Sequence, residues 1–221
     1  MSIVVRHVTN PSEAEIDQYT KVLAQAFNYE FFAFALGDRD LQEPMHRAHI
    51  TAALANNEGE VHIAEVPGEG VVSVAVWFPP GSKFLSTDAQ RNAGWNQLMD
   101  KLEPRLRDWW TQFLVQYDDM VERALTPGMK LGAYHLQLIG VLPERHRRGI
   151  GRALMQFAEN KARAVGVPTV LESGASASEL YGGLGYTVAG SGPIHLLSED
   201  STFDMSAFIK HTESGPDVQG D

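Results

Sequence analysis

Residues 145–152, Arg-His-Arg-Arg-Gly-Ile-Gly-Arg, place four guanidinium groups and two glycines within one short turn of chain. An apolar stretch precedes them, Leu136-Gln137-Leu138-Ile139-Gly140-Val141, and a helical pattern follows. A strand, a basic turn and a helix start in that order form a device for holding an anion. The turn presents backbone N–H groups, the glycines let a ligand approach closely, and the helix N-terminus carries about half a positive charge. Arg145, Arg147, Arg148 and Arg152 add full charges that suit a polyphosphate. The stretch is not a P-loop, because no Gly-Lys-Ser/Thr follows at the required spacing. It is not the dinucleotide fingerprint either, since Gly149-Ile150-Gly151-Arg152-Ala153-Leu154 lacks the third glycine or alanine.

The elements that must position this turn are legible from periodicity. Tyr134–Val141 reads as a central strand. Gly149–Val165 reads as a helix, with Ile150, Ala153, Leu154, Phe157, Ala158, Ala162 and Val165 on one face and Gly166 and Pro168 as its stop. Upstream, Ile3–Val8 alternates as a first strand, and Asn10-Pro11-Ser12-Glu13 opens a helix carrying Ile16, Tyr19, Val22, Leu23, Ala26 and Phe27. Met45–Ala55 reads as another helix. Glu60–Val66 and Val71–Phe78 read as a hairpin about Pro67-Gly68-Glu69-Gly70. Thr87–Leu125 is a long helical stretch whose apolar stripe runs from Trp95 to Val121, with Pro104 as the first residue of its second part. Thr169–Glu172, Ser176–Leu184 and Thr187–Ala189 read as strand, short helix and strand, and 194–210 holds a final strand or two. Hairpins early and a βαβ unit late predict a mixed α/β fold, one mixed sheet with helices on both faces.

The chain of 221 residues is 43% hydrophobic, enough for one large core. A single domain over residues 1–211 is expected, with the helical insertion at about 87–125 between the third and fourth strands and a loose polar tail over 212–221. The net charge of −10 excludes a general nucleic-acid surface, so the basic turn acts locally against an acidic background. With no cysteine there is no disulfide framework, thiol nucleophile or thiolate metal site. The N-terminal residues form no signal peptide or membrane span, which makes a cytoplasmic location the expectation and a membrane partner an unexpected one.

The Val141-Leu142-Pro143 strand end followed by His146-Arg147-Arg148-Gly149-Ile150-Gly151 resembles the cofactor motif of the GNAT acetyltransferases, with His146 where that superfamily usually has Gln or Arg. Leu180-Tyr181-Gly182-Gly183-Leu184-Gly185-Tyr186 resembles its Leu-Tyr-x-x-x-Gly-Phe. Within the superfamily, Val74-Ala75-Val76-Trp77, Gly140-Val141, Gly166-Val167-Pro168 and Leu171-Glu172 are most similar to the puromycin-type small-molecule acetyltransferases. The resemblance implies a GNAT-type central mixed sheet flanked by helices, acetyl-CoA as cosubstrate, no metal, and transfer of the acetyl group to a small-molecule amine by direct attack in a ternary complex. It implies cofactor contacts from Ile139, Gly140, Val141, Arg147, Arg148, Gly149, Ile150, Gly151, Arg152 and Ser178, and Tyr181 as general acid to the departing thiolate. The acceptor arrives as an ammonium and needs a base. His135 on the central strand, Glu172 at the end of the next strand and a water chain are the alternatives. A protein or peptide N-acetyltransferase and a non-catalytic CoA-binding regulator are the competing functions, and either a monomer or a homodimer is compatible with the sequence.

Other clusters have plainer readings. Phe27, Tyr29, Phe31, Phe32 and Phe34 are read chiefly as core and secondarily as an acceptor pocket. Glu30, Asp38 and Asp40 are read as solvated acids, secondarily as an attraction for a cationic acceptor. His46-x-x-His49 lacks a third ligand for a metal. Trp109-Trp110 is read as packing or a dimer seam, and secondarily as a wall of the acceptor cleft.

Overall fold

The computed structural model describes residues 2–27, 34–174, 177–197 and 201–212. Tyr29, Glu30, Phe31 and Phe32, Ser176 and the tail from residue 213 lie outside them. Seven strands form one sheet: β1 (Val4–His7), β2 (Glu60–Val66), β3 (Gly70–Phe78), β4 (Tyr134–Val141), β5 (Thr169–Gly174), β6 (Thr187–His195) and β7 (Thr202–Lys210), in the spatial order β1-β2-β3-β4-β5-β7-β6. Neighbours run antiparallel except β4 and β5, which are parallel. The helices are α1 (Glu13–Ala26), α2 (Gln42–Leu54), α3 (Pro104–Leu125), α4 (Met129–Gly132), α5 (Ile150–Ala164) and α6 (Ser178–Gly182). An irregular helical run, Asp88–Gln90, Arg91–Trp95 and Asn96–Met99, precedes α3.

Local chemistry explains these elements. Every residue of β3 from Val71 to Phe78 is buried, as expected of a central strand covered on both faces. Ser12 caps α1 in a reciprocal capping box with Glu15. Pro104 opens α3, where its missing N–H costs nothing. The sheet separates two apolar layers. One packs under α1, α2 and α3 and contains Leu23, Ile50, Val76 and Phe113. The other packs under α5 and α6 and contains Trp77, Leu136, Leu154 and Phe208. His46 and His49 belong to the first layer, stacked on Phe27 and Phe84 at 5.3 and 4.6 Å. Trp109 and Trp110 are buried there too, their indole N–H groups donating to the carbonyls of His195 and Ala35. No group of three or more His, Asp or Glu among the described residues could hold a metal, and no described helix is long and apolar enough to cross a membrane.

One strand expectation needs correcting. β6 runs for nine residues to His195 rather than three to Ala189. Gly190, Gly192 and Pro193 make it a weak strand by propensity, but it sits at the sheet edge, where proline is tolerated. β7 then inserts between β5 and β6, an order periodicity cannot reveal. The glycines of β6 have a packing reason. A Cβ at Gly190 would lie 2.8 Å from Ala124 Cβ and 3.0 Å from its Cα, so α3 rests directly on the strand. Gly190→Ala is expected to lift α3 and lower stability by about 1–3 kcal/mol, the usual cost of overpacking. The urea midpoint checks this, and an unchanged midpoint would contradict the close contact.

Candidate active site

The sheet opens where β4 and β5 part. Only Tyr134↔Thr169, His135↔Val170 and Leu136↔Leu171 are paired, although β4 continues to Val141 and β5 to Gly174. β3 holds the other edge of β4 along its length, with one irregularity: Trp77 faces Leu136 and Val76 faces Leu138, so Gln137 is an extra residue. A bulge of this kind bends its strand and resets the in–out alternation. His135 and Gly140 therefore face α1 and α3, while Ile139 and Val141 pack on the α5 layer. The edge of Ile139–Val141 toward β5 is left without a strand partner.

The basic turn follows directly. Its backbone is held at several points. The His146 ring nitrogen Nε2 donates to the Val141 carbonyl at 2.9 Å, and Arg145 pairs with Glu69 of the β2–β3 turn at 2.8 Å. Arg152 donates to the carbonyl of Gly183 at 3.1 Å. Arg147 and Gly149 both have left-handed backbone, with φ of 60° and 79°. For arginine that conformation costs roughly 1–2 kcal/mol, and such strain concentrates at functional sites. The first helical bond of α5 is Ala153 N–H to Gly149 C=O. The N–H groups of Ile150, Gly151 and Arg152 thus have no partner within the helix and open toward the turn.

A cavity of about 480 Å³ lies between the turn, the open edge of β4 and α6. Of the residues expected to hold the cofactor, Ile139, Gly140, Val141, Arg147, Gly149, Ile150, Gly151 and Arg152 line it, together with Tyr181. Arg148 and Ser178 are not on its lining. The Gly140 requirement comes from packing, since a Cβ there would meet Ala26 Cβ at 2.8 Å. Gly151 differs. An added Cβ would touch only Val141 Cγ2, at an ordinary 3.6 Å, so the protein's own packing does not demand glycine there. A cradle with bare N–H groups, cationic rim and an open strand edge fits a polyphosphate joined to an amide-bearing arm. Tyr181 is 8% exposed, its ring against Tyr186 and Phe208, and burial pushes its hydroxyl up to about 12.

His135 and Glu172, alternatives in the sequence, form one buried pair. His135 Nε2 donates to Glu172 Oε2 at 2.8 Å, and both side chains are 1% exposed. Neither lines the cavity. They lie at the foot of the opening, beside the last β4–β5 pairs. Tyr117 of α3 also donates to Glu172 Oε2. Burial alone would raise the Glu172 carboxyl, but Lys130, His135 and the hydrogen bonds from His135 and Tyr117 bring it down to about 2. Burial pushes His135 down, against the pull of Glu172. At neutral pH the pair is therefore a neutral imidazole beside a carboxylate. Tyr117 and Lys130 had no signal in the sequence. Tyr117 sits in the apolar stripe of α3, and Lys130 falls in a short connection without periodicity.

A mixed sheet whose parallel central pair splays beside a Gly-x-Gly helix start is the GNAT fold. Residues 110–188 match the acetyltransferase (GNAT) domain model. Solved structures agree on the fold. The Corynebacterium glutamicum histone acetyltransferase HPA2 and related acetyltransferase is 20% identical, with 98% of this chain and 99% of that one covered and a TM-score of 0.61. A mosquito arylalkylamine N-acetyltransferase like 5b is 15% identical over 95% and 100%, TM-score 0.62. The Drosophila melanogaster polyamine N-acetyltransferase is 16% identical over 95% and 100%, TM-score 0.53. No curated protein matches the chain. These structures include enzymes named for small amines and one named for histones, and nothing among them singles out the puromycin type.

Proposed function

We propose that the protein is an acetyl-CoA-dependent N-acetyltransferase that acts on a small amine by direct attack in a ternary complex. The observation that carries this reading is the open edge of β4 running from the anion cradle to the buried His135–Glu172 pair. Acetyl-CoA supplies an activated thioester. The N–H groups at the start of α5, with Arg147, would hold its pyrophosphate, and Arg148, off the cavity lining, would add its charge from the next position in the turn. The edge at Ile139–Val141 would pair with the amides of its arm, and a backbone N–H there would meet the developing oxyanion. From Val141 to Leu136 the strand spans about 17 Å at ~3.3 Å per residue, which carries the reacting end toward the foot of the opening. There the His135–Glu172 pair would take the ammonium's proton as a unit, since two groups in hydrogen-bond contact titrate together. Tyr181, facing the same cavity, would donate to the departing thiolate. A small acceptor is supported by α3, which lies on β6 and is tied down by Arg105 and Trp109 to the Leu197 and His195 carbonyls. In this reading that arrangement would narrow the side from which a polypeptide enters.

Thiol release from acetyl-CoA across a panel of small amines and peptides tests the proposal. Turnover only with peptides would reverse the acceptor assignment, and none with any amine would leave a CoA-binding regulator. Arg147→Ala with Arg148→Ala is expected to weaken CoA binding by roughly 10–100-fold, the worth of lost charge-assisted bonds, and to flatten its salt dependence. Titration calorimetry reads both. Unaltered affinity would remove the anion cradle from the reading.

A further inference from the structure

Glu172 has two oxygens with different surroundings. Oε2 accepts from His135 and Tyr117, while Oε1 faces the Lys130 ammonium at 3.8 Å. Lys130 is itself nearly enclosed, its side chain 7% exposed, with its nitrogen 4.2 Å from the centre of the Tyr117 ring. On its far side stands Asp118, at 3.7 Å, and Asp118 in turn binds Lys83. The charged groups thus come from four directions: Glu172 on β5, Asp118 with the Tyr117 hydroxyl on α3, Lys130 on α4, and Lys83 on the segment after β3. Of these only Glu172 touches His135 of β4, while Lys130 and Asp118 act on it through their charge. Exposure rises along the row, from 1% at Glu172 through 7% at Lys130 to 35% at Asp118 and 40% at Lys83.

Such a row is poor design for stability alone. Burying a lysine and a glutamate gains little over apolar residues of the same size, because desolvation offsets their attraction. The row does define His135. With Nε2–H committed to Glu172, the lone pair of the neutral ring sits on Nδ1, which is buried and has no hydrogen-bond partner among the described residues. The atom able to accept a proton is therefore the one facing away from the carboxylate.

We propose that Lys130 is a positioning residue for proton removal: its ammonium, held between Glu172 and Asp118, keeps the Glu172 carboxylate ionised and turned to His135, so that Nδ1 receives the acceptor's proton. The inference rests on the acetyl-transfer reading and adds a residue to it. In the reaction the amine nitrogen bonds the acetyl carbon as the C–S bond breaks. Of the two protons that leave the ammonium nitrogen, one ends on the thiol and the other passes through His135 to solvent.

Removing a cation from beside an acid–base pair makes the pair hold its proton more tightly, whichever member carries it. Lys130→Met is therefore expected to move the acidic limb of the kcat/KM profile upward by about 1–3 pH units, the scale for one close charge. Asp118→Asn removes an anion and is expected to move it downward. CoA affinity by calorimetry should be unchanged in both. The His135 ring is followed in parallel by NMR titration of the histidine-labelled protein without substrates, which needs no turnover. Shifts of opposite sign in the two variants support the assignment. An unmoved limb and an unmoved His135 titration in folded Lys130→Met overturn it, as do shifts of the same sign in both variants. If Lys130→Met does not fold, Asp118→Asn decides alone, and a static or rising His135 titration there overturns the assignment. Opposite shifts of His135 in a protein that turns over no amine would fail the acetyl-transfer reading while supporting the electrostatic role of Lys130.

Discussion

Tyr181→Phe is expected to lower kcat by roughly 10²–10³-fold, the loss seen when one well-placed donor to a developing anion is removed. The ring should stay in place, because its contacts with Tyr186 and Phe208 are made by carbon atoms. CoA affinity should therefore change little. The sequence alone suggests an ordinary phenol near 10, so that proton transfer to a thiolate near ~8.5 would be uphill by about 1.5 units. In the folded protein burial raises the hydroxyl to about 12. The mismatch grows to roughly 3.5 units, or ~5 kcal/mol. In the proposed mechanism Tyr181 would then act by donating a hydrogen bond and would keep its own proton. Its ionisation should accordingly leave no mark on the pH–rate profile below about 11. Steady-state turnover beside CoA titration makes the test, and full activity in the phenylalanine variant would take Tyr181 out of the mechanism.

Glu172→Gln is expected to be the most destabilising of the substitutions considered, by about 3–5 kcal/mol, because it takes from the Lys130 ammonium its fully buried anion and leaves only the part-exposed Asp118 beside it. For a chain of this size that lowers the melting temperature by roughly 6–20 °C. The effect has a pH signature. The Glu172 carboxyl is held at about 2 in the folded protein, against an ordinary value of 4.5. A folded value below the unfolded one stabilises the protein fully above about 4.5 and loses that contribution as pH falls toward 2, a span worth about 3 kcal/mol. The gap in melting temperature between the parent and Glu172→Gln should thus close as the pH drops through this window. A gap independent of pH would mean that the carboxylate's charge is not what the network uses.

Much of this architecture can be read from the chain, because the local rules agree with the tertiary outcome. The β2–β3 hairpin, the start of α3 at Pro104, the span of α5 and the turn before it follow from periodicity, proline and glycine placement. The turn proposed as an anion cradle is legible for the same reason, since its residues are contiguous. What escapes depends on pairing across distance. The bulge at Gln137 is set by how β3 and β4 register, and Gln137 carries no local mark of it. His135 and Glu172 look like rivals in sequence because 37 residues separate them; parallel pairing of β4 with β5 makes them partners. Tyr117 obeys the apolar period of α3, so its hydroxyl on Glu172 is invisible until β5 lies beside the helix. The length of β6 escapes because its glycines answer to α3 rather than to strand propensity.

The turn that carries Arg147 is fastened by His146 to the end of β4, by Arg145 to Glu69 and, within the first turn of α5, by Arg152 to Gly183. A loop tied to three different parts of the molecule has little freedom left to surrender when a ligand arrives. The entropy of ordering it was met during folding, so more of the contact energy made with an anion appears as affinity. Association should then behave as a single encounter, with a rate linear in ligand concentration and no slow rearrangement following it. Glu69 gains a role from this that its exposed position on a hairpin turn conceals. It acts as a strut: loosening the hairpin would slacken the cradle on the neighbouring strand without altering any group that touches the ligand.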